Sequence, residues 1–119
     1  MAIKNSEIDI YQQRAFHFAK FGEMQVYPFL GLAEEAGEVA GKYAKFLRKE
    51  HMEPDFFISC EVEENLKEDL MDELGDVLWQ LSACATTMGV QLSEIAKRNI
   101  EKLEGRASRG TIVGEGDIR

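Results

Sequence analysis

Residues 32–39 read LAEEAGEV and residues 70–77 read LMDELGDV, so one acidic pattern occurs twice with a constant offset of 38 residues. Each copy begins with Leu, has Glu in the fourth position, Gly in the sixth and an acid in the seventh, and ends with Val. Apolar positions at this spacing are typical of an amphipathic helix. The repeat therefore predicts two helices, each with an acidic pair at the edge of its apolar stripe.

The two acidic pairs are predicted to meet. Each residue of a helix advances by about 100°, so Glu35 and Glu38 share one face, as do Glu73 and Asp76. If the two helices pack side by side, the four carboxylates converge, and such a cluster repels itself unless a cation is bound. We therefore predict a site for a hard divalent metal ion. The alternative is that helices of one bundle carry similar acids independently.

Glycines lie inside both helices. Gly37, Gly41 and Gly75 each cost about 1 kcal/mol relative to Ala in a helix interior. We expect them to allow close approach of the two helices. Lys42 lies one turn after Glu38 and is either a phosphate contact or an ordinary ion pair with Glu38; we favour the ion pair.

The remaining sequence predicts a helical protein. Helical periodicity, caps and stops predict four helices over residues 7–21, 28–49, 63–88 and 94–104. Ser6 and Ser93 are the predicted N-caps, and Gly22 and Gly89 the predicted stops. The fold class is all-α, a bundle of four main helices with a flexible C-terminal tail. One domain is expected over residues 1–119, with residues 105–119 as a Gly-rich tail.

Composition restricts the class of protein. The chain has 22 acidic and 14 basic residues, a net charge of −8, which argues against nucleic acid as a partner. Neither a signal peptide nor an apolar run of about 20 residues is present, so no membrane association is expected. Cys60 and Cys84 match no metal or disulfide pattern, and Cys84 is expected in the core. A cytoplasmic location follows as the expectation.

The acidic pairs favour a particular class of metal. Neither pair is accompanied by a histidine at the spacing that di-iron bundles use, and the zinc-protease pattern is absent. An all-oxygen site prefers magnesium or manganese, commonly bound by a few carboxylates together with substrate phosphates. The residues thus predict a magnesium site on a helical bundle, open to a phosphorylated ligand.

The combination Glu34-Glu35-x-x-Glu38 followed by Glu73-x-x-Asp76 resembles the signature of the MazG-type all-α nucleoside triphosphate pyrophosphohydrolases. The resemblance covers about residues 11–119 and includes Asn99-x-x-Lys102, Arg106 and a tail of the form Arg-Gly-x-Ile-x-Gly-x-Gly-Asp.

This resemblance implies hydrolysis of a nucleoside triphosphate to the monophosphate and pyrophosphate, by a homodimer or homotetramer. It implies Mg²⁺ as cofactor, with Mn²⁺ as a substitute, bound by Glu35, Glu38, Glu73 and Asp76. Glu34 has an implied supporting or water-orienting role, so Glu34, Glu35 and Glu38 are the candidate catalytic residues. The implied phosphate contacts are Lys102, Arg106, Asn99 and, from the tail, Arg109.

Two other functions are consistent with the same residues. One is a non-catalytic helical protein that binds a nucleotide or a metal and has a regulatory role. The other, an oxygen-activating di-metal enzyme, is disfavoured by the missing histidines. The sequence does not select the base; Trp79, Tyr11, Phe16 and the pair Phe56–Phe57 are candidate base contacts.

Overall fold

The computed structural model describes residues 6–20, 25–50 and 64–110. The regular elements in these ranges are four helices: α1 (Glu7–Phe16), α2 (Tyr27–Glu50), α3 (Glu64–Met88) and α4 (Leu92–Arg109). No strand occurs within them, which confirms the predicted all-α bundle of four main helices. None of the helices described has the length and apolar character needed to cross a bilayer. The predicted connection over residues 51–59, Cys60, Gly22 and residues 111–119 lie outside the described ranges.

Helix α1 is shorter than its periodicity predicts. It begins with a capping box, in which the Ser6 hydroxyl accepts from the Asp9 amide and the Asp9 carboxylate accepts from the Ser6 amide. It ends at Phe16 rather than continuing to residue 21, and the N–H of Phe18 closes a tighter turn on the Ala15 carbonyl at 3.1 Å. The Phe18 side chain is three-quarters exposed. Phe18 therefore buries little apolar surface that could stabilise a further helical turn.

Helices α2 and α3 form the most extensive helix pair. Gly31 near the start of α2 contacts Gln80, whereas Lys42, farther along α2, contacts Glu73, which comes before Gln80 in α3. The two helices therefore run antiparallel. The glycines predicted to lie between them do not. A Cβ added at Gly37, Gly41 or Gly75 would meet no atom within 4 Å. Gly37 and Gly41 lie about 200° and 240° round α2 from Glu35, on the side turned away from α3. The prediction of glycine-mediated approach was wrong for these three positions.

Helix α4 begins and ends at positions that differ from the prediction. Gln91, not Ser93, is its N-cap, and the Gln91 side chain makes no capping bond. At the other end the helix continues through Gly105 to Arg109 and stops at Gly110, whose φ of 70° is left-handed. The Gly-rich tail therefore does not start at Gly105.

The cap of α4 comes from α1. Asp9 Oδ1 accepts from the Ser93 amide at 3.0 Å, and Gln12 Oε1 accepts from the Leu92 amide at 2.8 Å. Gln12 Nε2 also donates to the Val90 carbonyl at 2.9 Å. Both α1 side chains are buried. Two polar residues of α1 thus bind the N–H groups that the start of α4 leaves unpaired.

We expect Gln12→Leu to lower the free energy of unfolding by roughly 2–4 kcal/mol, because a side chain of similar size then leaves buried backbone groups unpaired. Urea denaturation followed by circular dichroism measures the change. Gln13→Leu, at the exposed neighbouring position, is the matched control and should change stability by less than about 0.5 kcal/mol. Equal stability of the two variants would contradict this role of Gln12.

The Asp9 carboxylate gives the fold a pH dependence of known sign. Hydrogen bonds from Ser93, the largest effect, and from Ser6 lower the pKa of Asp9 below its ordinary 3.8, against the opposing effect of burial. A lowered folded-state pKa stabilises the protein above the unfolded pKa, and this contribution is lost as the pH falls through the folded value. Asp9→Asn should therefore flatten the acid limb of the stability curve below about pH 5. Thermal melts at several pH values, with exposed Asp69→Asn as the control, measure this.

Candidate metal centre

Three of the four predicted ligands come together between α2 and α3. Carboxylate oxygens of Glu35, Glu73 and Asp76 lie within 4.8 Å of one another. Glu35 and Glu73 are half-buried, whereas Asp76 is exposed. We call these three residues the acidic cluster. The members of the acidic cluster come from both copies of the repeated pattern. The antiparallel packing of α2 and α3 brings them together.

One member of the acidic cluster, Glu35, lies in surroundings that disfavour its ionised form. Burial raises the pKa of Glu35 above its ordinary value, and the charges of Asp76, Glu34, Glu73 and Glu38 raise it further. A divalent cation would reverse this effect, because its charge favours the ionised carboxylates. Oxygen donors alone suit hard ions such as magnesium, manganese or calcium. The residues therefore fit the magnesium ion that the sequence predicts.

Glu38 and Glu34 lie outside the acidic cluster. Both are exposed, although their charges reach Glu35. Glu38 follows Glu35 by three residues and is rotated by about 60° toward the exposed side of α2. The predicted convergence of four carboxylates is therefore a convergence of three.

Lys42 pairs across the helices. Its Nζ lies 3.7 Å from Glu73 Oε1, and the predicted partner, Glu38, has no such contact. Lys42 lies about 20° from the direction of Glu35 on α2, so it faces α3 rather than the exposed side. A positive charge thus sits beside one member of the acidic cluster and balances part of its charge.

The basic residues predicted to contact phosphate are all on α4, which packs chiefly against α1. Lys102 and Arg106 are half-buried, and Asn99 and Arg109 are exposed. The Arg109 guanidinium lies over Gly105, where an added Cβ would meet Nη1 at 3.1 Å. The backbone of α4 has at most weak contacts with α2 and α3, the two helices that carry the acidic cluster.

Aromatic candidates from the sequence have different surroundings. The Trp79 indole N–H donates to the Ala15 carbonyl at 3.0 Å, so this residue ties α3 to α1. Tyr11 is half-buried, and burial followed by the charge of Asp76 raises its pKa. Phe56 and Phe57 lie outside the described residues. Cys84 is buried, as predicted, and burial raises the pKa of its thiol.

Sequence reasoning assigned no role to one polar residue of α3 that follows the acidic cluster by one helical turn. Gln80 follows Asp76 by four residues and is buried against Gly31, which precedes Glu35 by four. The signal was present in the sequence, because a polar residue one turn after Asp76 extends the acidic face along α3.

Comparison with known proteins agrees with this geometry. The family model described as the MazG nucleotide pyrophosphohydrolase domain matches residues 28–110, which contain the whole acidic cluster. The chain is also similar to the Gene 37 protein of Mycobacterium phage L5, with 39% identity over 120 residues, covering 94% of this chain and 98% of the phage protein. No solved structure gives a significant match. The chain therefore belongs to the family of MazG nucleotide pyrophosphohydrolase domains.

Proposed function

We propose that this protein hydrolyses nucleoside triphosphates to the nucleoside monophosphate and pyrophosphate in a magnesium-dependent reaction. The observation that carries the proposal is the convergence of Glu35, Glu73 and Asp76 from two helices of a MazG domain. Carboxylates gathered in this way have an electrostatic cost in the free protein. A bound cation accounts for that cost and leaves room for phosphate oxygens as further ligands.

Glu35, Glu73 and Asp76 would hold the ion, which supplies positive charge against the triphosphate and makes coordinated water more acidic. Manganese is the expected substitute, because it accepts the same oxygen ligands. Glu38 is exposed beside Glu35, and we assign it as an additional ligand when the substrate is bound. Glu34 has a supporting role in orienting the attacking water, which needs a carboxylate that is free of the metal.

Basic residues of α4 complete the proposed site. Lys102, Arg106 and Arg109 would contact phosphate oxygens, and Asn99 would donate a hydrogen bond to them. Their positive charge would stabilise the part of the negative charge on the leaving pyrophosphate that a bound metal ion would not neutralise. Because α4 packs against α1, this role requires the cap that Asp9 and Gln12 provide at its first turn.

The direct test is release of pyrophosphate from each common nucleoside triphosphate in the presence of magnesium. We expect release that depends on the metal and gives equal amounts of monophosphate and pyrophosphate. Release of inorganic phosphate and the nucleoside diphosphate instead would contradict the proposed cleavage position. Nucleotide binding without any release would favour the non-catalytic regulatory protein.

A thermal-shift experiment tests the metal site without turnover. Glu35→Gln should raise the melting temperature of the metal-free protein, because it removes a carboxylate whose pKa is raised by burial and by like charges. In magnesium at about a hundred times its dissociation constant, the parent should melt roughly 8–15 °C higher than without it. Glu35→Gln should lose most of this increase.

Glu34→Gln is the matched control for that experiment, since it removes an adjacent charge outside the acidic cluster. It should retain most of the magnesium-dependent increase. A parent protein that does not respond to magnesium or manganese would contradict the metal site.

We also propose that the protein is a homodimer or homotetramer. Five exposed residues follow the alternating four- and three-residue spacing of helices that pack on each other: Val26, Leu30, Ala33, Gly37 and Ala40. The exposed fractions of Val26 and Leu30 are 64% and 68%. An apolar stripe of this kind, which begins at the residue before α2 and continues along the outer side of the helix, is typical of a surface that a second copy covers. The proposed partners are the nucleotide substrate and a second copy of the chain. We propose no nucleic-acid or membrane partner, and a cytoplasmic location.

A further inference from the structure

Lys42 is a basic side chain beside the acidic cluster whose N–H donors the cluster does not use. Its Nζ lies 3.7 Å from Glu73 Oε1, which makes an ion pair but is too long for a hydrogen bond. Among the residues that the structure describes, Lys42 makes neither a hydrogen bond nor a second ion pair. An ammonium group has three N–H donors. These donors therefore remain available to a ligand.

The ammonium group of Lys42 is accessible and lies on the side of α2 that carries Glu35. The Lys42 side chain is 40% exposed, whereas the Glu73 side chain is 18% exposed. Lys42 follows Glu35 by seven residues, which is about two helical turns on the same side of the helix. Helical side chains lean toward the N-terminus of their helix, so the Lys42 stem leans back toward Glu35. A molecule bound at the acidic cluster can reach this group from solvent without displacing a buried side chain.

The charge of the acidic cluster makes a further cation useful beside the metal ion. Its three carboxylates carry three negative charges when ionised, and a divalent ion cancels two of them. One negative charge then remains, and the exposed acids Glu34 and Glu38 add to it. Such a site repels a polyphosphate. The ammonium group of Lys42 supplies a positive charge at this place.

We propose that Lys42 is a substrate-binding residue that donates hydrogen bonds to the phosphate chain of the nucleotide. This inference rests on the proposed function, in which phosphate oxygens lie at the acidic cluster. In the free protein the ammonium group pairs with Glu73. In the complex the same group donates to a phosphate oxygen, and this charge-assisted hydrogen bond is stronger than an ion pair at 3.7 Å.

The proposed contact differs from a contact with the base or the sugar. Every nucleoside triphosphate has the same phosphate chain, so Lys42 should contribute about equally to the binding of all of them. Lys42 also lies on α2, a helix of the acidic cluster, whereas the basic residues already proposed to bind phosphate lie on α4. The contact can therefore be measured with a ligand that has neither base nor sugar.

The test is calorimetric binding of inorganic pyrophosphate, in saturating magnesium, to the parent, Lys42→Met and Lys67→Met. Lys42→Met keeps the apolar stem and removes the charge. Lys67→Met removes the same charge from an exposed position of α3, nine residues and about 14 Å before Asp76 and on the opposite side of the helix. We expect Lys42→Met to weaken pyrophosphate binding about tenfold or more, because it removes hydrogen bonds between charged groups.

Lys67→Met should change the affinity for pyrophosphate by less than about twofold, because an exposed and distant charge is screened by salt. Lys42→Arg keeps the positive charge and should bind pyrophosphate more tightly than Lys42→Met does. Equal affinity of the parent and Lys42→Met would show that Lys42 only neutralises the acidic cluster, and would overturn the inference. Equal weakening by Lys42→Met and Lys67→Met would show an effect of net charge and would also overturn it.

Titration with magnesium alone separates a phosphate contact from an indirect effect through Glu73. The positive charge of Lys42 opposes that of the ion, so Lys42→Met should bind magnesium at least as tightly as the parent. If Lys42→Met instead binds magnesium more weakly, by a factor that accounts for its loss of pyrophosphate affinity, Lys42 only orients Glu73. That result would overturn the inference.

Pyrophosphate binding also separates this inference from the proposed function, because it does not depend on turnover. If the parent releases no pyrophosphate from any nucleotide, the proposed function fails, and the binding experiment still decides the role of Lys42. If the parent hydrolyses nucleotides, Lys42→Met should lower kcat/KM by a similar factor for each of them. A loss confined to some bases, or no binding of pyrophosphate to the parent, overturns the inference.

Discussion

Asp76→Asn is expected to lower the rate of pyrophosphate release about a hundredfold or more, since losing even a residue that only hydrogen-bonds to a metal ligand costs about 10–100-fold. Asp76 is the exposed member of the acidic cluster, so the substitution removes a proposed ligand and leaves the helix packing unchanged. The metal-free variant should be at least as stable as the parent, since the substitution also removes the charge that most raises the pKa of Glu35. A pyrophosphatase-coupled assay at saturating nucleotide measures the rate, and circular dichroism checks the helix content.

The control for this variant is Glu68→Gln. It removes another exposed acid of α3, eight residues and about 12 Å before Asp76. This variant should retain more than half of the parent rate. Raising the magnesium concentration should restore part of the activity of Asp76→Asn if the residue acts through the metal. A rate for Asp76→Asn within threefold of the parent would remove this residue from the proposed site.

The second large effect concerns the proposed oligomer. Leu30→Glu is expected to weaken self-association roughly a thousandfold or more, because a buried and unpaired charge costs about 3 kcal/mol or more. A twofold interface carries the substitution twice, once from each copy. Sedimentation velocity over a range of protein concentrations should show the parent as a dimer or tetramer and the variant as a monomer.

Ile100→Glu on α4 is the matched control, because it introduces the same charge at another exposed apolar position. It should leave the association state of the protein unchanged. A parent that sediments as a monomer at all concentrations would overturn the proposed oligomer. Equal dissociation by Ile100→Glu would place the interface elsewhere.

Helix content could be predicted from the sequence because it depends on local chemistry. The apolar period and the Gly89 stop placed α2 and α3 within one residue of their ends. The end of α1 and both ends of α4 were less predictable. Whether another turn buries apolar surface, and whether a cap comes from a different helix as Asp9 does for α4, depends on residues distant in sequence.

The sequence by itself determined that two helices carry matching acidic faces, because the side-chain direction along one helix follows from its period. Only the tertiary structure decided which of these groups meet. The rotation of α2 against α3 brings Glu35 to Glu73 and Asp76, turns Glu38 outward and gives Lys42 a partner on the other helix. It also seats the Gln80 carboxamide on Gly31. The rotation is set by the packing of all the side chains between the two helices, and no single helix encodes it.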